Sequence, residues 1–117
     1  MYNKISKVAY VKIPSSELSV KLSKLGLLPN WSVKICTQHQ SLVRECSFPD
    51  FETTWSFLNQ VAMRAHLWGH HPTIKTTYNK VNLELTTHDI DGGNISDIDL
   101  KLAKRIESYI NLYKLQR

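Results

Sequence analysis

Apolar residues recur along the chain with two periods, and their alternation predicts seven elements. From Ser15 or Ser16, either of which can cap a helix, Leu18, Leu22 and Leu25 follow at helical spacing as far as Gly26, a natural stop. Beyond Pro29, Trp31, Val33 and Ile35 alternate with polar neighbours. After the polar stretch Thr37 to Ser41, a second extended run carries Leu42, Cys46 and Phe48, so the two runs read as a hairpin. Asp50 is placed to cap a second helix, with Glu52 in its first turn and Phe51, Trp55, Leu58, Ala62 and Ala65 as the expected buried stripe. That helix ends near Gly69, because Pro72 cannot continue it and disfavours helical geometry at His71. Ile74, Thr76 and Tyr78 mark a third strand, Val81, Leu83 and Leu85 a fourth, with Asn79 and Lys80 as the turn between them. After a loop holding Gly92 and Gly93, Ser96 and Asp99 approximate a capping box for a last helix whose apolar face is Leu102, Ala103, Ile106, Ile110 and Tyr113.

The order helix, two strands, helix, two strands, helix predicts an α+β fold, a four-stranded antiparallel sheet with three helices packed on one face. No repeat or Pro/Gly-rich linker divides the chain, so residues 15–117 are expected to form a single domain behind a flexible or extended segment, residues 1–14. The composition agrees with one packed core: 117 residues, 42% hydrophobic, with only four Gly and four Pro.

Charge changes this picture little. Seven basic residues face one acid, Glu17, through Arg44, whereas eight face nine from Glu45 onward. The basic residues are scattered, which argues against a nucleic-acid interface. No window reaches the roughly 20 apolar residues needed to span a membrane, and no secretory core is present, so a soluble intracellular chain is expected. Residues 1–16 carry Lys4, Lys7, Lys12 and three serines without an acid, a faint mitochondrial signature that leaves cytoplasm and mitochondrion as the expected compartments. Cys36 and Cys46 lack Cys-x-x-Cys spacing and read as reduced thiols packed in strands.

The chemistry is concentrated in histidine. His66, His70, His71 and His88 fall within 23 residues, at a helix end and a strand end, where clefts have their rims. Imidazole exchanges protons near neutral pH, so converging histidines suit acid-base elimination or hydration. His66 and His70, four apart, also have the spacing of a helix-borne zinc pair to which His88 and Asp89 or Asp99 could be added, but Leu67 stands where a zincin needs Glu. The plainer reading is that these histidines cap helix ends, and that Asp89, Asp91, Asp97 and Asp99 occupy a turn and a first helical turn where acids are locally favoured. Trp68 beside them offers a stacking face or ordinary packing. No phosphate loop, Gly-x-Ser-x-Gly or paired-cysteine motif is present.

His-His-Pro from His70 through Pro72, Tyr-Asn-Lys-Val from Tyr78, and Leu-Thr-Thr-His-Asp ending at Asp89, followed by a Gly-containing turn and Asp99, together resemble the pterin-4a-carbinolamine dehydratase family. The resemblance runs from about Leu27 to Ile110 and includes Trp31, Arg44, Phe48 and Phe51. It implies dehydration of 4a-hydroxytetrahydrobiopterin to the quinonoid dihydropterin, without metal or bound cofactor. By motif position His70 and His88 are the implied acid-base groups, His71 binds and orients the pterin, and Asp99 supports a histidine or the loop. His66, Trp68, Pro72 and Asp89 are the implied flanking or supporting residues. Family members join sheets into dimers and pair helices into tetramers, so a homodimer or homotetramer is implied. Some serve as noncatalytic dimerisation cofactors for transcription factors, and an enzyme acting on a related pterin, as in molybdopterin metabolism, is a further alternative. The chain departs from the family pattern at His66, where many members have an acid, at Gly69 in place of Asp or Asn, and at Ile74 in place of Trp.

Overall fold

A computed structural model describes residues 12–37, 39–88 and 93–114. It holds helix α1 (Ser15–Lys24), strands β1 (Trp31–Cys36) and β2 (His39–Ser47), helix α2 (Phe51–Trp68), strands β3 (Thr73–Thr77) and β4 (Lys80–Leu85), and helix α3 (Asp97–Lys114). The sheet has the order β1-β2-β4-β3, every neighbour antiparallel. The α+β fold and the element order are those expected from the sequence.

Alternation along the strands sends Trp31, Leu42, Val81, Leu83 and Leu85 into a core shared with Leu22, Phe57, Val61, Leu102, Ala103, Ile106 and Ile110 of the helices. Ser32, Lys34 and Glu45 remain exposed on the strands. Two hydrogen bonds fasten α2 to α3, Arg64 Nε donating to Tyr109 Oη at 3.1 Å and Tyr113 Oη donating to Gln60 Oε1 at 2.6 Å. Lys104 of α3 reaches the end of α1, its Nζ donating to the Leu25 carbonyl at 2.9 Å. Ahead of α1, Ile13 is buried and its N–H donates to the Ile95 carbonyl, while Lys12 bridges to Ser96.

Several local details differ from expectation. Pro14 rather than a serine stands at the N-cap of α1, without a side-chain cap bond. The strand β2 begins at His39, inside the stretch expected to be a polar turn. In α2 the buried face is Thr54, Phe57, Leu58, Val61 and Ala65. Phe51, Trp55 and Ala62 are therefore exposed rather than core. The helix carries two apolar stripes, and Phe57 and Val61 fill the sheet side. Cys36 is exposed at the end of β1, and Cys46 is half-buried, its thiol pushed up to about 11 chiefly by that burial.

The cap expected at Asp50 is present, its Oδ1 accepting from the Thr53 N–H at 2.7 Å. That bond holds the Asp50 carboxyl below its ordinary range. Its folded value lies below its unfolded one, so the stabilisation is present above the ordinary carboxylate value and is lost as pH falls through the folded value. Asp50→Ala is expected to melt below the parent at pH 6, the gap closing below about pH 4, as thermal denaturation followed by circular dichroism will read.

Candidate active site

The end of α2 sets the site. Gly69 takes the left-handed conformation (φ 68°, ψ 29°), its N–H returning to the Ala65 and His66 carbonyls. The turn reverses the chain, so His66 and His70 do not share one helical face as their spacing alone suggests. His66 stays exposed on the last turn of α2, whereas His70 folds inward and is 8% exposed.

Inside, His70 Nε2 lies 2.6 Å from Oδ1 of Asp99, which is fully buried. The other carboxylate oxygen accepts from Thr87 Oγ1 at 2.8 Å and from the Ser96 N–H at 2.9 Å. A carboxylate only accepts, so Nε2 carries the hydrogen of this bond. Thr87 has one hydroxyl hydrogen and gives it to Asp99. The 2.5 Å contact between Thr87 Oγ1 and Ser96 Oγ therefore has Ser96 as donor. Donors from three directions thus converge on one buried carboxylate, and the bond it accepts from His70 fixes the imidazole plane.

Ser96 and Asp99 occupy the capping-box positions expected from their spacing, but only half of the box forms. Asp99 reaches back to the Ser96 N–H, while the Ser96 hydroxyl turns to Thr87. Thr87 was not among the residues expected from sequence. Its signal was its place in the Leu-Thr-Thr-His-Asp motif, one residue before His88.

Outside, His66 Nδ1 and His71 Nε2 are 3.3 Å apart, ring centroids 5.5 Å apart. One nitrogen must carry the hydrogen and the other must lack it, so the tautomer of His71 is tied to that of His66. His88 is exposed in the turn after Thr87, whose backbone pairs in both directions with Asn94. Gly93 closes that turn at φ 131°, where a Cβ would stand 2.1 Å from the His39 ring, so this position requires glycine.

Pro72 is half-buried between His71 and β3, and Ile74 is 38% exposed on β3 opposite Leu83. Trp68 packs beside Lys101 of α3, whose Nζ is 4.6 Å from its ring centroid. Asp89 lies outside the described residues. Among the described residues no group of three or more His, Cys, Asp or Glu side chains is placed to hold a metal ion. No described helix is long and apolar enough to cross a membrane.

What the arrangement can do is exchange protons. It offers an oriented, buried imidazole, His70, next in the chain to the exposed imidazole of His71.

Comparison with known proteins converges on one family. The profile of the family described as pterin 4 alpha carbinolamine dehydratase matches residues 12–109. A Saccharomyces cerevisiae protein named "Putative pterin-4-alpha-carbinolamine dehydratase" is 47% identical over 119 residues, covering 95% of this chain and 97% of its own. A protein of the same name from Sulfurisphaera tokodaii is 35% identical over 99 residues, covering 85% of this chain and 97% of its own. Among solved structures, a Brucella melitensis protein described as a transcriptional coactivator/pterin dehydratase superposes with a TM-score of 0.72 at 28% identity. The match covers 85% of this chain and 98% of that one.

Proposed function

Because the chain belongs to the pterin-4a-carbinolamine dehydratase family, we propose that it dehydrates 4a-hydroxytetrahydrobiopterin to the quinonoid dihydropterin, the recycling step after aromatic amino-acid hydroxylation. The observation that carries the reading is the buried His70–Asp99 pair, which adjoins His71 in the chain and is tied through Asp99 to Thr87, the residue before His88. Elimination breaks the C4a–O bond, sends the oxygen out as water after protonation, and takes the proton from the ring nitrogen. Both transfers suit imidazoles held near the substrate. His70 and His88 serve as the acid-base pair, His71 binds and orients the pterin, and Asp99 positions His70. His66, paired with His71, stands where many members place an acid, and its contact orients the His71 ring.

The test is an assay of 4a-hydroxytetrahydropterin dehydration by purified, metal-stripped protein beside a His70, His88 double variant. Turnover well above the spontaneous rate, lost in the variant and unchanged by added zinc, is the expected result. No acceleration with or without zinc removes the dehydratase reading.

A second reading, a protein-binding module, draws on the outer face of α2. Phe51, Trp55, Met63 and Leu67 are 50%, 42%, 68% and 44% exposed at four- and eight-residue spacing, an apolar stripe broken only at Asn59. By contrast, α3 buries Leu102, Ala103, Ile106 and Ile110 of its apolar face. The Brucella melitensis protein is described as a coactivator as well as a dehydratase, which fits a protein partner on a surface of this kind. The stripe also suits pairing of copies into a homodimer or homotetramer, and we expect Met63→Glu to lower the solution mass measured by light scattering while the thermal midpoint of the chain's own fold is retained. An unchanged mass removes α2 as the pairing surface.

A further inference from the structure

Away from the histidines, α1 and α3 enclose a cleft of about 720 Å³, within the roughly 300–1,000 Å³ usual for small-molecule sites. Its floor is apolar, made by Ile13, Leu25, Trp68 and Leu100. Its rim is basic: Lys21 and Lys24 come from α1, and Lys101, Lys104 and Arg105 from α3. Asp97 is the one acid among the described lining residues. None of the four clustered histidines lines it.

The cations are crowded in a way that the fold itself does not relieve. Arg64, Lys101 and Arg105 stand 5.2, 4.6 and 5.5 Å from the centroid of the one Trp68 ring. Lys101 and Arg105 are like charges four apart on a helix, a destabilising arrangement, and Lys21 and Lys24 repeat it three apart on α1. Among the described residues, no ion pair is shown to Lys21, Lys24, Lys101 or Arg105; Arg44–Glu107 and His70–Asp99 are formed elsewhere. The ring attracts each cation, but it cannot remove their mutual repulsion. A bound anion can.

We propose that this cleft binds a small amphipathic anion, an apolar ring or chain on the Trp68 floor ending in a phosphate or carboxylate among the Lys21, Lys101 and Arg105 charges. The concave shape favours a small molecule over a duplex or a membrane surface, either of which meets a broad convex or flat basic face. Residues 1–11 add Lys4 and Lys7 and no acid, so their sequence brings no counter-charge for the basic rim. The site is separate from the proposed dehydration centre, although Trp68 and Asp97 are each two positions from His70 and Asp99.

The test is isothermal titration of the full chain at low salt with 1-naphthyl phosphate, 1-naphthoate, inorganic phosphate and 1-naphthol. At least one naphthyl anion is expected to bind once per chain, about tenfold or more tighter than inorganic phosphate or naphthol, and to weaken with salt. A Lys101→Gln, Arg105→Gln double variant should lose about tenfold in that affinity, while keeping the dehydration rate and melting no lower than the parent, because both side chains are exposed and their mutual repulsion is removed. His70→Gln should bind the anion as the parent does. The proposal is overturned if no naphthyl anion binds in the millimolar range, if inorganic phosphate binds as tightly, if the double variant binds unchanged, or if His70→Gln abolishes binding, which would move the ligand to the histidine centre.

Discussion

His70→Gln is expected to lower kcat for dehydration by about 10²- to 10⁴-fold, the range typical of removing a general acid or base, while the chain stays folded. Glutamine is chosen because its side-chain N–H₂ occupies the place of imidazole Nε2 and can go on donating to Asp99, 2.6 Å away in the parent. Alanine would instead leave a fully buried carboxylate short of a donor, mixing a stability loss into the rate. Asp99→Asn probes the same pair from the other side. Its amide cannot accept from His70, Thr87 and the Ser96 N–H together, so the His70 ring turns or changes tautomer. We expect a slower enzyme whose pH–rate profile is displaced as well as lowered, the mark of a positioning residue rather than of simple misfolding. Parent-like kcat in both His70→Gln and His88→Gln would end the proposed acid-base roles.

What the sequence revealed of this centre, and what it concealed, follows from the range over which each signal acts. Local signals carried well: the period-two alternation of Val81, Leu83 and Leu85, the Asp50 cap and the Gly69 stop each rest on neighbours within a turn or a strand. The inward turn of His70 was harder to see, because helical spacing pairs it with His66 until the left-handed residue between them is given its geometry. Similarly, α2 has two apolar stripes, and only the sheet decides that Phe57 and Val61 go inside while Phe51 and Trp55 stay out. The basic residues look scattered for the same reason. Lys21 and Lys101 are far apart in the chain, and only the packing of α1 beside α3 brings their charges to one cleft.

The least legible feature is a buried polar knot, and it yields the largest expected effect on stability. Nothing near Glu107 in the sequence marks it as more than another surface acid of a helix. In the fold it is buried, its Oε1 accepting from Trp31 Nε1 at 2.8 Å and from Arg44 Nε at 3.0 Å, and its Oε2 accepting from the other arm of the guanidinium at 3.2 Å. Arg44 completes its own bonding through the Glu45 carbonyl at 2.7 Å. One carboxylate thus ties β1, β2 and α3 together. Glu107→Ala leaves a buried guanidinium without its counter-charge and a buried indole N–H without an acceptor. The expected cost is about 3–5 kcal/mol, which for a chain of this length lowers the melting temperature by roughly 10–20 °C. Most of that cost is the penalty of the stranded Arg44 rather than the worth of the pair. Replacing both partners, Arg44→Met with Glu107→Leu, should therefore recover much of the loss, with the Trp31 N–H alone left to satisfy. Thermal melts of the single and double variants decide the matter. A single variant that melts within a few degrees of the parent would mean that water reaches Arg44 and that the network is not sealed. A double variant no better than the single would mean that the ion pair itself, and not the desolvated charge it hides, holds the sheet to the last helix.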